Sequence, residues 1–354
     1  MQIADSLLKT QSDTFQTILN DFIQSPEFAA LGIGEVENVN CLTKFDRKYS
    51  VQRLYQVQGT EQSKNIYVKI AKNVYKKSPE EFNAVLQQDF DTNLFWFEKL
   101  SGYKQFGSIR PLYLSLPFKA LVTEETIGRN LGELVRTQLR FSPSHLIRQV
   151  LQDHVHNAGR LLHVVQNEYE GEQDYDLQTL VEDVDLRMRA LVQNRSSHFS
   201  REMRQAILNF VDKNMSLAKS QNLLVGYMHR DFTMSNLLVS GPKIIVHDFA
   251  KIDIGPRLFD VTRFYHHLGL LKYKPVYSSN IVAKLQQAFL EGCNLTGATN
   301  NILFNFFMLR HYVTHYKGLI RDRELSLKSK LYDHWVMKKH LQYIDRIIKR
   351  NYTK

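Results

Sequence analysis

Six residues in the stretch from Tyr227 to Asp260 have types and an order that phosphoryl transfer could use: His229-Arg230-Asp231, then Asn236, Asp248 and Asp260. Moving a γ-phosphoryl group to a hydroxyl requires Mg²⁺ to neutralise the phosphates, so hard oxygen ligands must converge on one point. Asn236 and Asp248 are the candidate ligands. The attacking hydroxyl needs orienting and its proton needs a destination, which a carboxylate placed opposite the γ-phosphate provides. Asp231 is the candidate for that role, with His229 and Asp260 as supports of the loop.

The local elements are read around these residues. Leu237 to Ser240 is predicted as a strand, Ser240-Gly241-Pro242 as its turn and Lys243 to Val246 as the return strand. Such a hairpin brings Asn236 and Asp248 to the same end. Each acidic or amide residue alone would be an ordinary turn former; the ordered set carries the signal.

The spacing H-R-D, four residues, N, and an Asp beyond a hairpin is the catalytic-loop pattern of the kinase fold. A protein kinase would continue with D-F-G and A-P-E. Here Asp248-Phe249-Ala250 stands for the former, and the latter is missing from the sequence. The stretch instead resembles the aminoglycoside phosphotransferase and choline kinase superfamily, through Asn236-Leu237-Leu238, Val246-His247-Asp248, Gly255 and Asp260-Val261. Arg230 stands where that family usually has Gly, and Pro256 where it usually has Asp.

The resemblance implies an α+β, bilobal protein-kinase-like fold, with a small antiparallel-sheet lobe and a large, mainly helical lobe. The sequence suits both. Val36 to Thr43, Ser50 to Gln58 and Asn65 to Ile70 read as strands, the middle one alternating apolar and polar residues. Lys69 sits where the fold carries its phosphate-pairing lysine. The resemblance also calls for an acidic partner on the following helix, predicted over Pro79 to Leu100: Asp91 is the choice, with Asp89, Glu81 and Glu98 as competitors. Lys44 to Lys48 is expected as the turn covering phosphate, although it lacks the glycines that let backbone amides approach an anion.

Phe118 to Thr126 reads as a strand ending at the family's hinge, which implies that Glu124 and Thr126 lie beside the base of the nucleotide. The lobe boundary is set there: residues 1–126 form an N-terminal helix and the nucleotide-binding lobe, and 127–354 form the helical lobe with the catalytic loop and acceptor site. Helical periodicity recurs over His145 to Val165, Asp183 to Ala218, Val261 to Leu271, Ile281 to Glu291 and Ile302 to Leu319. In the family, helices of the last group line the acceptor pocket, which makes Arg263, Tyr265, His266, His267, Arg310, His311 and Tyr312 candidates for substrate contact.

Composition narrows the classes. With 354 residues, 43% of them hydrophobic, the chain can bury a sizeable core. Cys41 and Cys293 alone give no disulfide framework. No run reaches the ~18 apolar residues of a membrane span, and Met1 to Asp21 lacks the apolar core of a secretion signal. A cytoplasmic protein is expected. His145, His154, His156 and His163 have no metal-binding spacing and read as helix-surface or core residues. The net charge of +10 favours a neutral or anionic acceptor over a polycation. The basic end, Lys338 to Lys354, reads as a frayed helix that offers contact with an anionic surface, while nucleic acid is disfavoured.

The expected activity is transfer of the γ-phosphoryl group of ATP or GTP, with Mg²⁺, to a hydroxyl of a small molecule: a sugar, an amino alcohol, an aminoglycoside-like antibiotic or a glycolipid precursor. The alternatives are a protein kinase and a non-catalytic pseudokinase or adaptor of the same fold.

Overall fold

A computed structural model describes residues 14–194, 197–320 and 326–352. Ile3, Leu7 and Leu8 of the expected first helix, and the end of the basic tail, lie outside the described residues. The chain forms two compact units, one of residues 1–129 with 238–250 and one of 130–237 with 251–354. The hairpin leading to Asp248 thus groups with the sheet-bearing unit, whereas the sequence reading placed it in the larger lobe.

In the first unit, β1 (Val36–Asp46), β2 (Ser50–Gly59), β3 (Ser63–Ala71), β5 (Pro111–Ser115) and β6 (Ala120–Glu124) build an antiparallel sheet of order β1-β2-β3-β6-β5. Period-two alternation gives the sheet its faces. Tyr55 and Val57 of β2, Ile66 and Val68 of β3 and Ala120 and Val122 of β6 enter one core with Phe15, Ile18, Leu19 and Phe22. Those four belong to helix α1, which covers residues 14–23. The amphipathic segment expected near the amino terminus therefore covers the sheet. The short α2 (Pro26–Ala29) adds Phe28 to the same core.

The long α3 (Pro79–Ser101) starts on a complete capping box: Ser78 Oγ accepts the Glu81 N–H, and Glu81 accepts the Ser78 N–H. Pro79 at the first helical position, with its φ already fixed, reinforces that start. After it, β4 (Phe106–Ser108) pairs in parallel with β10 (Lys243–Val246), itself the neighbour of β9 (Leu237–Ser240).

The second unit is mainly helical. The short β7 (Arg129–Asn130) leads into α4 (Leu131–Gln138), followed by α5 (His145–Asn167), α6 (Leu177–Gln193) and α7 (Arg201–Lys219). Strand β8 (Val225–Met228) pairs antiparallel with β11 (Asp253–Pro256). Then come α8 (Leu258–Gly269), α9 (Ser279–Gly292), α10 (Ile302–Leu319) and α11 (Leu327–Ile348). Helix α10 buries residues on nearly every side, from Ile302 through Tyr316, as a central core helix must.

The expectation of a frayed basic tail fails. Helix α11 begins at Leu327 and buries Val336, Met337, His340, Ile344 and Ile347, a spacing of three and four that its many lysines hide in the sequence. Among the described residues, no helix is long and apolar enough to cross a membrane.

Candidate active site

In the sheet unit, Lys69 projects from β3 on the face opposite Ile66 and Val68 and is half-buried. The acidic group that acts on it electrostatically is Asp89 of α3. Asp91, the residue preferred from sequence, is exposed and accepts a hydrogen bond from Gln87 Nε2 at 2.9 Å. The physical reason is helical register: positions two apart sit about 200° around the axis from each other. Asp89 is steadied by Asn93 Nδ2, 2.7 Å from its Oδ1.

Asp248 acts on the same group. Burial pushes the Asp89 carboxyl above the usual carboxylate range, the Lys69 charge pulls it down and the Asp248 charge pushes it up again. Lys69, Asp89 and Asp248 thus share one electrostatic neighbourhood in the sheet unit. Asp248 itself is exposed, with a left-handed backbone (φ +70°) that aspartate tolerates better than most residues. What fixes it there is the next residue: Phe249 is fully buried and stacks on Trp96 of α3, ring centres 5.3 Å apart and planes 9° apart.

Other expectations for this unit change. Lys44 and Phe45 lie within β1, opposite Arg53 and Gln52, so the anticipated phosphate-covering turn shrinks to the tight connection between Asp46 and Ser50. Lys72 straps it, with Nζ 2.5 Å from Asp46 Oδ1 and 2.9 Å from the Arg47 carbonyl oxygen. Glu124, expected beside the base, instead pairs with Lys64 at 2.7 Å and Arg110 at 3.5 Å. Its N–H donates to the Arg110 carbonyl, and that of Glu125 to the Asn65 carbonyl. These bonds tie the end of β6 to β3 and to the residue before β5. Thr126 follows, half-buried.

In the helical unit, the loop after β8 presents Asp231. Arg230 holds a left-handed backbone (φ +61°), a conformation that glycine adopts at least cost. Its side chain reaches Asp253 at 3.1 Å. Asp231 Oδ1 accepts from Arg263 Nη2 of α8 at 2.5 Å, and Lys251 Nζ lies 3.7 Å from Oδ2. Asn236 closes the short 3-10 turn Met234–Asn236, where its Nδ2 donates to the Asp231 carbonyl at 3.0 Å and leaves the amide oxygen as the acceptor.

Beneath this loop lies the brace. Asp260, in the first turn of α8, is fully buried and accepts the backbone N–H of His229 at 2.6 Å. Burial drives its carboxyl up to about 7, against the opposing pull of the His229 and Arg230 amides and of Arg263. The buried His229 ring meets Phe232 edge-on, and Phe232 packs against Phe264 of α8.

Five of the seven acceptor candidates separate into three groups. Arg263 is held on Asp231. Arg310 pairs with Asp183 at 2.8 Å, beside the fork of Arg187 on the same carboxylate. His266, His311 and Tyr312 are core residues, with His311 Nε2 at 3.0 Å from the Phe259 carbonyl oxygen. Sequence reasoning gave no role to Lys251, Asp183 or the Trp96–Phe249 stack. The i,i+4 spacing of Asp183 and Arg187 was a readable signal for the second; contacts distant in sequence leave none.

Residues 127–288 match the sequence model of the phosphotransferase enzyme family. No curated protein sequence matches the chain. Among solved structures, the fold matches a microcompartment-associated aminopropanol kinase at 13% identity and a TM-score of 0.52, over 91% of this chain and 98% of the other. It matches amicoumacin kinase, solved with AMP-PNP, Ca²⁺ and its ligand, at 13% identity and 0.51, over 92% and 96%. A GDP complex of an aminoglycoside 2'-phosphotransferase-IIIa variant gives 10% identity and 0.52, over 94% and 96%. The fold is thus α+β and similar to that of solved small-molecule kinases and an aminoglycoside phosphotransferase.

Proposed function

We propose that the protein transfers the γ-phosphoryl group of ATP or GTP to a hydroxyl of a small molecule. The observation that carries this reading is the electrostatic grouping of Lys69, Asp89 and Asp248 in the sheet unit. A cation for phosphates, a carboxylate to orient that cation and an exposed carboxylate for a metal are what nucleotide binding in this fold requires.

The Asp248 carboxylate and the Asn236 amide oxygen are hard donors of the kind Mg²⁺ takes, and among the described residues no salt bridge pairs Asp248 with a cation of the protein. Bound Mg²⁺ would supply neutralisation of the phosphate charge. The chain's own residues do the rest. Lys69 grips the α- and β-phosphates, with Asp89 holding its ammonium in place. Asp231 accepts a hydrogen bond from the acceptor hydroxyl and takes its proton late in the transfer. Arg263, on Asp231 Oδ1, fixes the carboxylate so that Oδ2 is the oxygen offered to the hydroxyl. His229 and Asp260 keep the loop in register through the buried amide bond.

For the acceptor, the supporting comparison is with kinases of aminopropanol, amicoumacin and aminoglycosides. Sugars, amino alcohols, such antibiotics and glycolipid precursors form the class to screen, and the net charge of +10 favours its neutral and anionic members.

The test is thermal unfolding of the wild type and Asp248→Ala with ATP or GTP, with and without Mg²⁺, followed by a screen of hydroxylated small molecules for nucleoside diphosphate release. A Mg²⁺-dependent rise in Tm that the variant loses is expected. If neither nucleotide shifts the wild type, the reading fails in favour of a non-catalytic binding module.

A further inference from the structure

The helical unit buries three histidines at one point, each from a different helix: His266 of α8, His315 of α10 and His340 of α11. One ring nitrogen from each lies within 4.8 Å of the other two. His266 is 3% exposed and His340 fully buried, and His315 is half-buried. Their rings stand 5.0–5.5 Å apart, with Tyr312 edge-on to His266 at 4.9 Å.

Hydrogen bonding alone accounts for part of this cluster. His315 Nδ1 and His340 Nε2 are 2.7 Å apart, and His340 Nδ1 is 3.3 Å from the Tyr273 hydroxyl. That chain leaves out His266, whose Nε2 is buried with no hydrogen-bond partner. A buried polar atom without a partner costs about 1–3 kcal/mol, and this one belongs to a ring that brings one nitrogen within 4.8 Å of a nitrogen of each of the other two imidazoles.

We propose that His266, His315 and His340 form a binding site for one borderline divalent metal ion, Zn²⁺ first. The donors are all imidazole, which suits Zn²⁺, Co²⁺, Ni²⁺ or Cu²⁺ and is poorly suited to Mg²⁺ or Ca²⁺. Three imidazoles also match the ligand set of zinc centres that keep a fourth position for water.

Loading rearranges nitrogens that now lie within 4.8 Å of one another. Tetrahedral Zn–N bonds of ~2.0–2.1 Å place ligand nitrogens about 3.3 Å apart, so the His315–His340 pair opens by a fraction of an ångström as its shared proton leaves. His340 then binds through Nε2, and its Nδ1–H donates to Tyr273, the outer partner that fixes the ring. The metal would fasten α11 and α10 to α8 one turn beyond Arg263, the residue that holds Asp231.

The test uses the full chain, stripped with a chelator and free of nucleotide. Zn²⁺ titration followed by calorimetry is expected to give one equivalent bound and a raised Tm, and Co²⁺ the intense visible absorption of a four-coordinate site. His340→Gln is expected to weaken Zn²⁺ binding by 100-fold or more, and Tyr273→Phe by about 10–100-fold. Asp248→Ala is expected to leave that affinity unchanged, separating the site from the one for Mg²⁺. Absence of stoichiometric binding, equal Zn²⁺ affinity in the wild type and His340→Gln, or the weak spectrum of six-coordinate Co²⁺ would overturn the proposal. The Co²⁺ spectrum of the wild type decides even where a variant fails to fold.

Discussion

The two units organise charge in opposite ways. In the helical unit, Asp231 is held by a cation of the protein, Arg263 at 2.5 Å, and Asp260 accepts a backbone amide through one oxygen in a fully buried pocket. In the sheet unit, one cation, Lys69, acts on Asp89, whose carboxyl is also repelled by Asp248. The first arrangement sets each carboxylate against a donor of the protein. The second carries more negative than positive charge at close quarters, the condition under which an added cation lowers the energy most. The contrast is what the proposed division of labour requires, with Asp231 as the fixed group and Asp248 as the metal-recruiting one.

The strongest way to break this comparison is Asp231→Asn. It is expected to lower the phosphoryl-transfer rate by roughly 10²–10⁴-fold, the usual worth of a general base, while the nucleotide-dependent Tm shift stays. Loss of that shift would mean that Asp231 belongs to ligand recruitment after all. Next in size is Trp96→Ala, which removes the ring under Phe249 and is expected to cost about 3–5 kcal/mol in denaturant unfolding. A value below about 1 kcal/mol would show that the stack does not anchor Asp248.

Asp89→Asn sharpens the sheet side. It is expected to weaken Mg²⁺-nucleotide binding about tenfold, or ~1.4 kcal/mol, in a direct titration, with Asp91→Asn near wild type. The reverse order would restore Asp91 as the partner of Lys69.

The pH dependence tests the helical side. Asp260 has a folded-state value of about 7, above its unfolded value, so its contribution is fully present below the unfolded value, near pH 4, and is lost as pH rises through 7. The difference in unfolding free energy between the wild type and Asp260→Asn should therefore fall with pH across this window, by at most ~1.4 kcal/mol per pH unit. A flat difference would mean that the buried carboxyl ionises freely. The smallest effect is Arg230→Gly. Relief of the left-handed backbone, worth ~1–2 kcal/mol, opposes the extra chain entropy of glycine and loss of the exposed pair with Asp253. Tm should rise slightly or hold; a clear fall would show that this position uses the arginine side chain.

The strands, the long helices and the order of residues from His229 to Asp260 were legible because local periodicity and spacing write them directly. Lys69 was legible too, since alternation along β3 sends it to the face opposite the core. Asp91 was preferred to Asp89, the carboxylate on which the Lys69 charge acts, because α3 shows a weak apolar stripe, and a two-residue change in register reverses the side of the helix. The inward face of α11 was hidden by lysines, and Lys44 and Phe45 looked like a turn because charge resembles loop composition. The burial of Asp260, the stack of Phe249 on Trp96 and the meeting of three histidines depend on chain segments far apart, which no window of sequence contains.

The split of the sheet unit into two stretches of chain has a consequence for synthesis on the ribosome. β4 waits for β10, and Trp96 waits for Phe249, until the chain has grown past residue 250. Until then the nascent chain shows an unpaired strand and a bare indole, the kind of surface that chaperones bind and that aggregates at high concentration. A fragment ending at residue 129 should be poorly soluble for that reason, while supplying residues 238–250 through a short fused linker should rescue it.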